Sequence, residues 1–128
     1  MTWLRSEAPG DLALDRVFGL RPNAYARFRE LLDGLDGGGV DGETLAACRA
    51  RIDALLRFDP DPTASLDLSA ASRAAVGYAE QYALDPHVLR DQDFVALHEH
   101  FDDAQLATLT LAVAMYDALA RFSVALEV

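Results

Sequence analysis

The chain has 128 residues, 52% of them hydrophobic, and its 11 basic and 21 acidic residues give a formal net charge of -10. That length suits one domain, and that apolar share can fill a core, which excludes wholesale disorder. The acidic balance argues against nucleic acid as a partner, because phosphate recognition needs a basic patch that displaces condensed counterions. Every cation is an arginine, and lysine is absent. The N-terminal stretch Met1-Thr2-Trp3-Leu4-Arg5-Ser6-Glu7 lacks the basic start and apolar centre of a signal peptide. Apolar runs such as Leu109 to Met115 fall short of the about 20 residues that a membrane span needs. Cys48 is the only cysteine, so no internal disulfide can form. The expectation is a soluble cytoplasmic domain with no membrane partner.

No stretch alternates like a strand, and the long segments repeat at helical spacing, so the predicted class is all-α. Residues 1 to 20 read as an irregular arm punctuated by Pro9-Gly10, with one short turn through Leu12 to Phe18, and Trp3 is expected to pack onto the bundle or across a subunit boundary. Pro22 suits the first turn of a helix, where its missing N–H costs nothing. Tyr25, Phe28, Leu31, Leu32 and Leu35 then form an apolar stripe that stops at Gly37-Gly38-Gly39. This triglycine is a tight loop and not a phosphate cradle, since no strand precedes it and no Lys-Ser/Thr follows. Asp41 is placed to cap a second helix with Leu45, Cys48, Ile52, Leu55 and Leu56 on one side. Asp59-Pro60-Asp61-Pro62 ends that helix near Phe58. Ser69 starts a third helix carrying Ala75, Val76, Ala79 and Tyr82. Asp85-Pro86 opens a connecting turn, and Asp91 is expected to cap a fourth helix running through Phe94, Leu97 and Phe101. Asp102 with Gln105 forms a capping-box start for the last and most apolar helix, about 103 to 126.

Several of these segments resemble one family. Val17-Phe18-Gly19-Leu20-Arg21-Pro22-Asn23-Ala24-Tyr25 is similar to the start of the first main helix in the carboxymuconolactone decarboxylase and AhpD-like alkylhydroperoxidase superfamily. The second half is similar over Leu68-Ser69 to Tyr78-Ala79-Glu80, Asp91-x-Asp93-Phe94-x-x-Leu97, His100-Phe101-Asp102-Asp103-x-x-Leu106, and Tyr116 with Arg121 in the closing helix. The resemblance spans about residues 17 to 128 and implies a single-domain AhpD-like bundle of about five to six helices behind the arm of residues 1–20. It also implies a homo-oligomer, trimer or hexamer, with a ligand pocket between copies.

The chain departs from the peroxidase branch at its Cys-x-x-Cys-and-His motif. The overlay puts Phe58 and Asp61 at the two thiol positions, and the following His is absent. A thiolate to attack peroxide and a second thiol to resolve the product are both required, so dithiol peroxidase chemistry is ruled out. Cys48, on the apolar stripe, reads as a small buried hydrophobe. The resemblance leaves cofactor-free acid/base chemistry on a small organic substrate, such as decarboxylation, lactone opening, isomerisation or cyclisation. The alternative is a noncatalytic assembly or regulatory partner whose old pocket is filled by Phe58 and its neighbours.

The candidate catalytic groups are His98, Asp117 and Arg121. Asp117 and Arg121 stand four apart in acid-then-base order on the most apolar helix, a spacing that favours pairing. They read either as a salt bridge or as an anion-binding Arg with its orienting carboxylate. His98-Glu99-His100 is not a metal site, since residues two apart on a helix point about 200° apart. His98 is a possible pocket acid/base group, and His100 a structural one at the helix junction. Candidate ligand contacts are Tyr78 and Tyr82, which share a helix face, together with Phe58, Arg51 and Tyr116. Arg49 and Arg51 together could hold a carboxylate or simply face solvent.

Overall fold

The computed structural model describes residues 13–126, in which six α-helices and one 3-10 turn form a single all-α bundle. They are α1 (Ala13–Phe18), α2 (Pro22–Leu35), α3 (Gly42–Arg57), α4 (Ala70–Leu84), α5 (Asp91–His98) and α6 (Asp103–Leu126), with the 3-10 turn at Pro86–Val88. Trp3 and the rest of the N-terminal stretch lie outside the described residues. The short turn expected through Leu12 to Phe18 within the arm is the helix α1, and it is packed against the bundle. Val17 is buried, and Phe18 stacks on Phe122 with ring centroids 5.1 Å apart and planes at 4°. Tyr25 of α2 donates a 2.7 Å hydrogen bond to Asp15 of α1, which raises the Tyr25 pKa.

Local chemistry sets the helix starts. The Asp41 carboxylate accepts the Thr44 N–H and hydroxyl at 2.8 and 2.9 Å, and those bonds hold its pKa below the usual range. Ser69 accepts the Ser72 N–H at the start of α4. At α6 the expected capping box is complete: Asp102 N–H donates to Gln105 Oε1 at 2.9 Å and Gln105 N–H to Asp102 Oδ1 at 2.8 Å. At α5 the cap shifts by one residue from the expected Asp91. Arg90 takes the cap position, and its N–H donates to Asp93 Oδ2.

The core is built on three helices that run in the same direction. Thr44 and Ser72 share a buried 2.6 Å hydroxyl bond at the starts of α3 and α4, and Arg51 binds Glu80 two turns further along both. Arg49 of α3 lies over the Tyr116 ring of α6, while the loop before α3 is bonded to the start of α6. Parallel neighbours need long returns: the irregular residues 58–69 link α3 to α4, and α5 lies in the return from α4 to α6. Phe94 of α5 meets Tyr78 edge to face. Cys48, Ile52, Ala75, Ala79, Leu109 and Val113 sit at the centre of the cluster. α6 is the described helix long and apolar enough to cross a membrane, yet half of that stretch is buried inside the bundle, the ordinary position of a core helix.

The end of α3 departs from expectation. Phe58 adopts the left-handed region at φ 58° as the cap residue, and its side chain is 97% exposed rather than filling a pocket. A left-handed non-glycine residue costs about 1–2 kcal/mol, and no burial of the ring offsets it. Phe58→Gly is therefore expected to stabilise the domain by about 1 kcal/mol in urea unfolding. A loss of stability would show that the ring has a packing role.

Candidate functional site

The sequence-derived catalytic trio does not converge within one copy. Asp117 and Arg121 do pair, with Arg121 Nε 2.9 Å from Asp117 Oδ2, and Arg121 Nη2 donates 2.8 Å to the Ala83 carbonyl at the end of α4. The guanidinium thus ties α6 to the C-terminal carbonyl end of α4, where a cation is favoured. Asp117 Oδ1 is buried without a hydrogen-bond partner among the described residues. His98 is one turn beyond Phe94, which lies against Tyr78, so it sits toward the opposite end of α4. The implied separation from Ala83 is roughly 13 Å along the helix at about 1.5 Å per residue. His98 is half exposed, with Nε2 3.5 Å from Asp103 Oδ1. His100 is exposed at the same junction, its ring edge-on to Phe101.

The aromatic candidates divide as well. Tyr78 and Tyr82 share a face, with centroids 6.2 Å apart, and Tyr78 is buried against Phe94, so this pair is core packing beside α5. Burial, then the neighbouring Tyr82, raises the Tyr78 pKa. Arg51 is mostly buried and committed: Nε is 2.6 Å from Glu80 and 3.8 Å from Asp61. Its guanidinium anchors the return loop to both α3 and α4, and is not presented to solvent. Cys48 is fully buried, which pushes its thiol pKa up to about 12. At neutral pH it is a protonated, inaccessible thiol, the reverse of what a nucleophile needs.

What the fold does bring together is Arg49 and Tyr116. A groove of about 370 Å³ runs between α3 and α6, lined by Ala46, Arg49, Ala50, Asp53, Tyr116 and Ser123, with Leu119 and Ala120 on its floor. The Arg49 guanidinium carbon stands 5.4 Å from the Tyr116 ring centroid. Arg49 is exposed and makes no ion pair with any described residue, whereas Arg51, Arg57 and Arg121 all have carboxylate partners. Burial raises the Tyr116 pKa and Arg49 only partly opposes it, so the phenol keeps its proton at neutral pH. Small alanines on both helices keep the groove open beside the Arg49 guanidinium, a neutral phenol and the Ser123 hydroxyl. That set suits an organic anion better than a proton-abstraction reaction, since Asp53 is already bonded to Arg57 at 3.0 Å.

Tyr116 was legible as a candidate through the resemblance, but Arg49 looked like one of two equivalent surface arginines. The signal that separates them is position: Arg51 has acidic neighbours across α4 and the return loop, and Arg49 has an aromatic ring across α6. A second, larger apolar cleft of about 460 Å³ lies between α1, α2 and the end of α6, lined by Val17, Phe18, Tyr25, Phe28 and Phe122 with Arg21 at its edge. It offers little polar chemistry. Among the described residues no three His, Cys, Asp or Glu side chains cluster as a metal site would require. Comparison with known proteins finds no matching family model, no matching curated protein and no matching solved structure.

Proposed function

We propose that the protein is a dithiol-free relative of the carboxymuconolactone decarboxylase and AhpD-like proteins that binds a small organic carboxylate in the groove between α3 and α6. The observation that carries this reading is Arg49, over the Tyr116 ring and without an ion-pair partner among the described residues, beside an open groove. In such a complex Arg49 supplies the charge-assisted contact, Tyr116 and Ser123 donate hydrogen bonds, and the alanines and Leu119 take the hydrocarbon part. Chemistry at this site is cofactor-free and rests on charge stabilisation by Arg49 and hydrogen-bond donation by Tyr116. It accords with decarboxylation, lactone opening or isomerisation of a bound acid. The pair Asp117–Arg121 keeps the groove's α6 wall seated on α4, and His98 stands apart from it.

Titration calorimetry with benzoate and phthalate, and with their neutral amides as controls, tests the reading. The carboxylates are expected to bind and the amides not, and Arg49→Gln should weaken binding by about tenfold or more, the worth of one charge-assisted contact. Equal binding of acids and amides, or an unchanged affinity in Arg49→Gln, would refute it. The fully exposed Phe58 favours a second reading, an assembly partner that docks through the end of α3. Loss of a copurifying protein in Phe58→Ser, with the groove silent to every acid, would select that reading.

A further inference from the structure

The groove between α3 and α6 carries a cation and an anion one helical turn apart. Arg49 and Asp53 both line it from α3, with Ala50 between them, and Tyr116, Leu119 and Ala120 form the facing wall on α6. Four residues apart on one helix face is the spacing at which opposite charges pair, yet these two do not pair with each other. Their order along the chain explains it. An acid four residues before a base is the favoured arrangement, so Asp53 turns to Arg57, 3.0 Å from its Nε, and Arg49 lies over the Tyr116 ring. The two charges stand roughly 6 Å apart along α3, at about 1.5 Å per residue. Both are open to a ligand. Arg49 is exposed and the Asp53 side chain is 48% exposed; Arg57 is bonded to Asp53 Oδ1, and a carboxylate has room for about four hydrogen bonds. Asp36, at the end of α2, also acts on Tyr116. A ligand carrying a carboxylate alone therefore meets Asp36 and Asp53 as repelling neighbours, in a chain whose formal net charge is -10.

Resting on the reading of this groove as a carboxylate site, we propose that its ligand is a zwitterion, an amino acid whose ammonium and carboxylate groups are separated by about three or four methylenes. The carboxylate takes Arg49 and the Tyr116 hydroxyl, and the ammonium takes Asp53. An extended chain of that length spans about 5–6 Å at standard bond lengths, which matches the offset of the two side chains along the helix. Its methylenes lie over Ala50, Leu119 and Ala120, where the groove is apolar. An α-amino acid is too short, because its two charged groups flank a single carbon. The ammonium end turns Asp53 from a repelling neighbour into an attracting one, and a ligand of zero net charge is not repelled by the acidic chain. Asp53 is then a specificity-determining residue, selecting among acids that Arg49 holds.

Titration calorimetry on the full chain at neutral pH compares γ-aminobutyrate and δ-aminovalerate with valerate and caproate, in which a methyl group replaces the ammonium. The amino acids are expected to bind at least about tenfold more tightly than their methyl counterparts, the scale of one charge-assisted contact. Asp53→Asn, isosteric and on a half-exposed position, should abolish that preference with helicity unchanged, and Arg49→Gln should weaken all of these ligands. Free alanine, whose charges lie too close to reach both side chains, should bind no more tightly than isobutyrate. Equal binding within each pair, or a preference that survives Asp53→Asn, would overturn the zwitterion and leave the carboxylate site standing. A preference for alanine over isobutyrate as large as that of the longer pairs would overturn it too, since the spacing would then play no part. Failure of every ligand to bind, valerate and caproate included, would overturn the carboxylate site and the zwitterion together.

Discussion

Leu109→Ala is expected to destabilise the domain by about 3 kcal/mol, within the range for a buried leucine truncated to alanine. Leu109 is 0% exposed and stands at the meeting of α6 with α3 and α4, in the same cluster as Cys48, Ile52, Ala75 and Val113. Several of its neighbours are alanines, which have no side chain with which to collapse into the space, so most of the lost volume stays as a cavity. The surrounding helices are also tied by the Thr44–Ser72 and Arg51–Glu80 bonds, which resist closing the gap by sliding. Leu84→Ala is the control. Leu84 is 68% exposed at the end of α4, and its truncation should cost about 0.5 kcal/mol or less. Denaturant midpoints with unchanged slopes measure both. A difference under about 1 kcal/mol between them would mean that the three parallel helices do not form the stabilising core.

Periodicity and capping made the elements legible, and contact between elements was not. Asp41, Ser69 and the Asp102–Gln105 box sit where Asp, Ser and Gln are needed for N–H groups that have no helical partner, so five helix positions could be read from the chain. The six-residue α1 is too short to show a period, so the sequence offered it only as a short turn, Leu12 to Phe18, within the arm. Its place comes from Phe18 on Phe122, a contact across more than a hundred residues. The same limit governs the site. A stripe shows which side of a helix is buried, and not which helix covers it, so Arg49 and Arg51 looked alike until α6 and α4 were placed. His98 and Arg121 sit on elements adjacent in sequence, yet the antiparallel return of α5 carries them to opposite ends of α4. Phe58 was read as filling a pocket because an overlay fixes position along the chain; the left-handed backbone there turns the ring outward.

Gly38→Ala is expected to cost about 2 kcal/mol, the scale of overpacking at a close contact. A Cβ built on Gly38 would stand 2.3 Å from Thr108 Oγ1, 2.4 Å from Cγ2 and 2.9 Å from Cβ. The first two atoms can rotate away, but the Thr108 Cβ is fixed by the backbone of α6, so the loop itself must move. It cannot move freely. The Gly38 and Gly39 carbonyls accept bonds from Thr108 Oγ1 and Gln105 Nε2, and Gly39 holds φ at +83°. Gln105 is also half of the α6 capping box, so displacing the loop strains the start of the core helix as well. The triglycine is thus a docking point for α6, and its flexibility in isolation is beside the point. Thr108→Ala alone should cost less than about 1 kcal/mol, the worth of its hydrogen bonds. Combined with Gly38→Ala it removes the two closest atoms, and the double variant should be more stable than Gly38→Ala alone by about 1 kcal/mol. Strict additivity of the two costs in urea unfolding would show that Thr108 is not what excludes a side chain at residue 38.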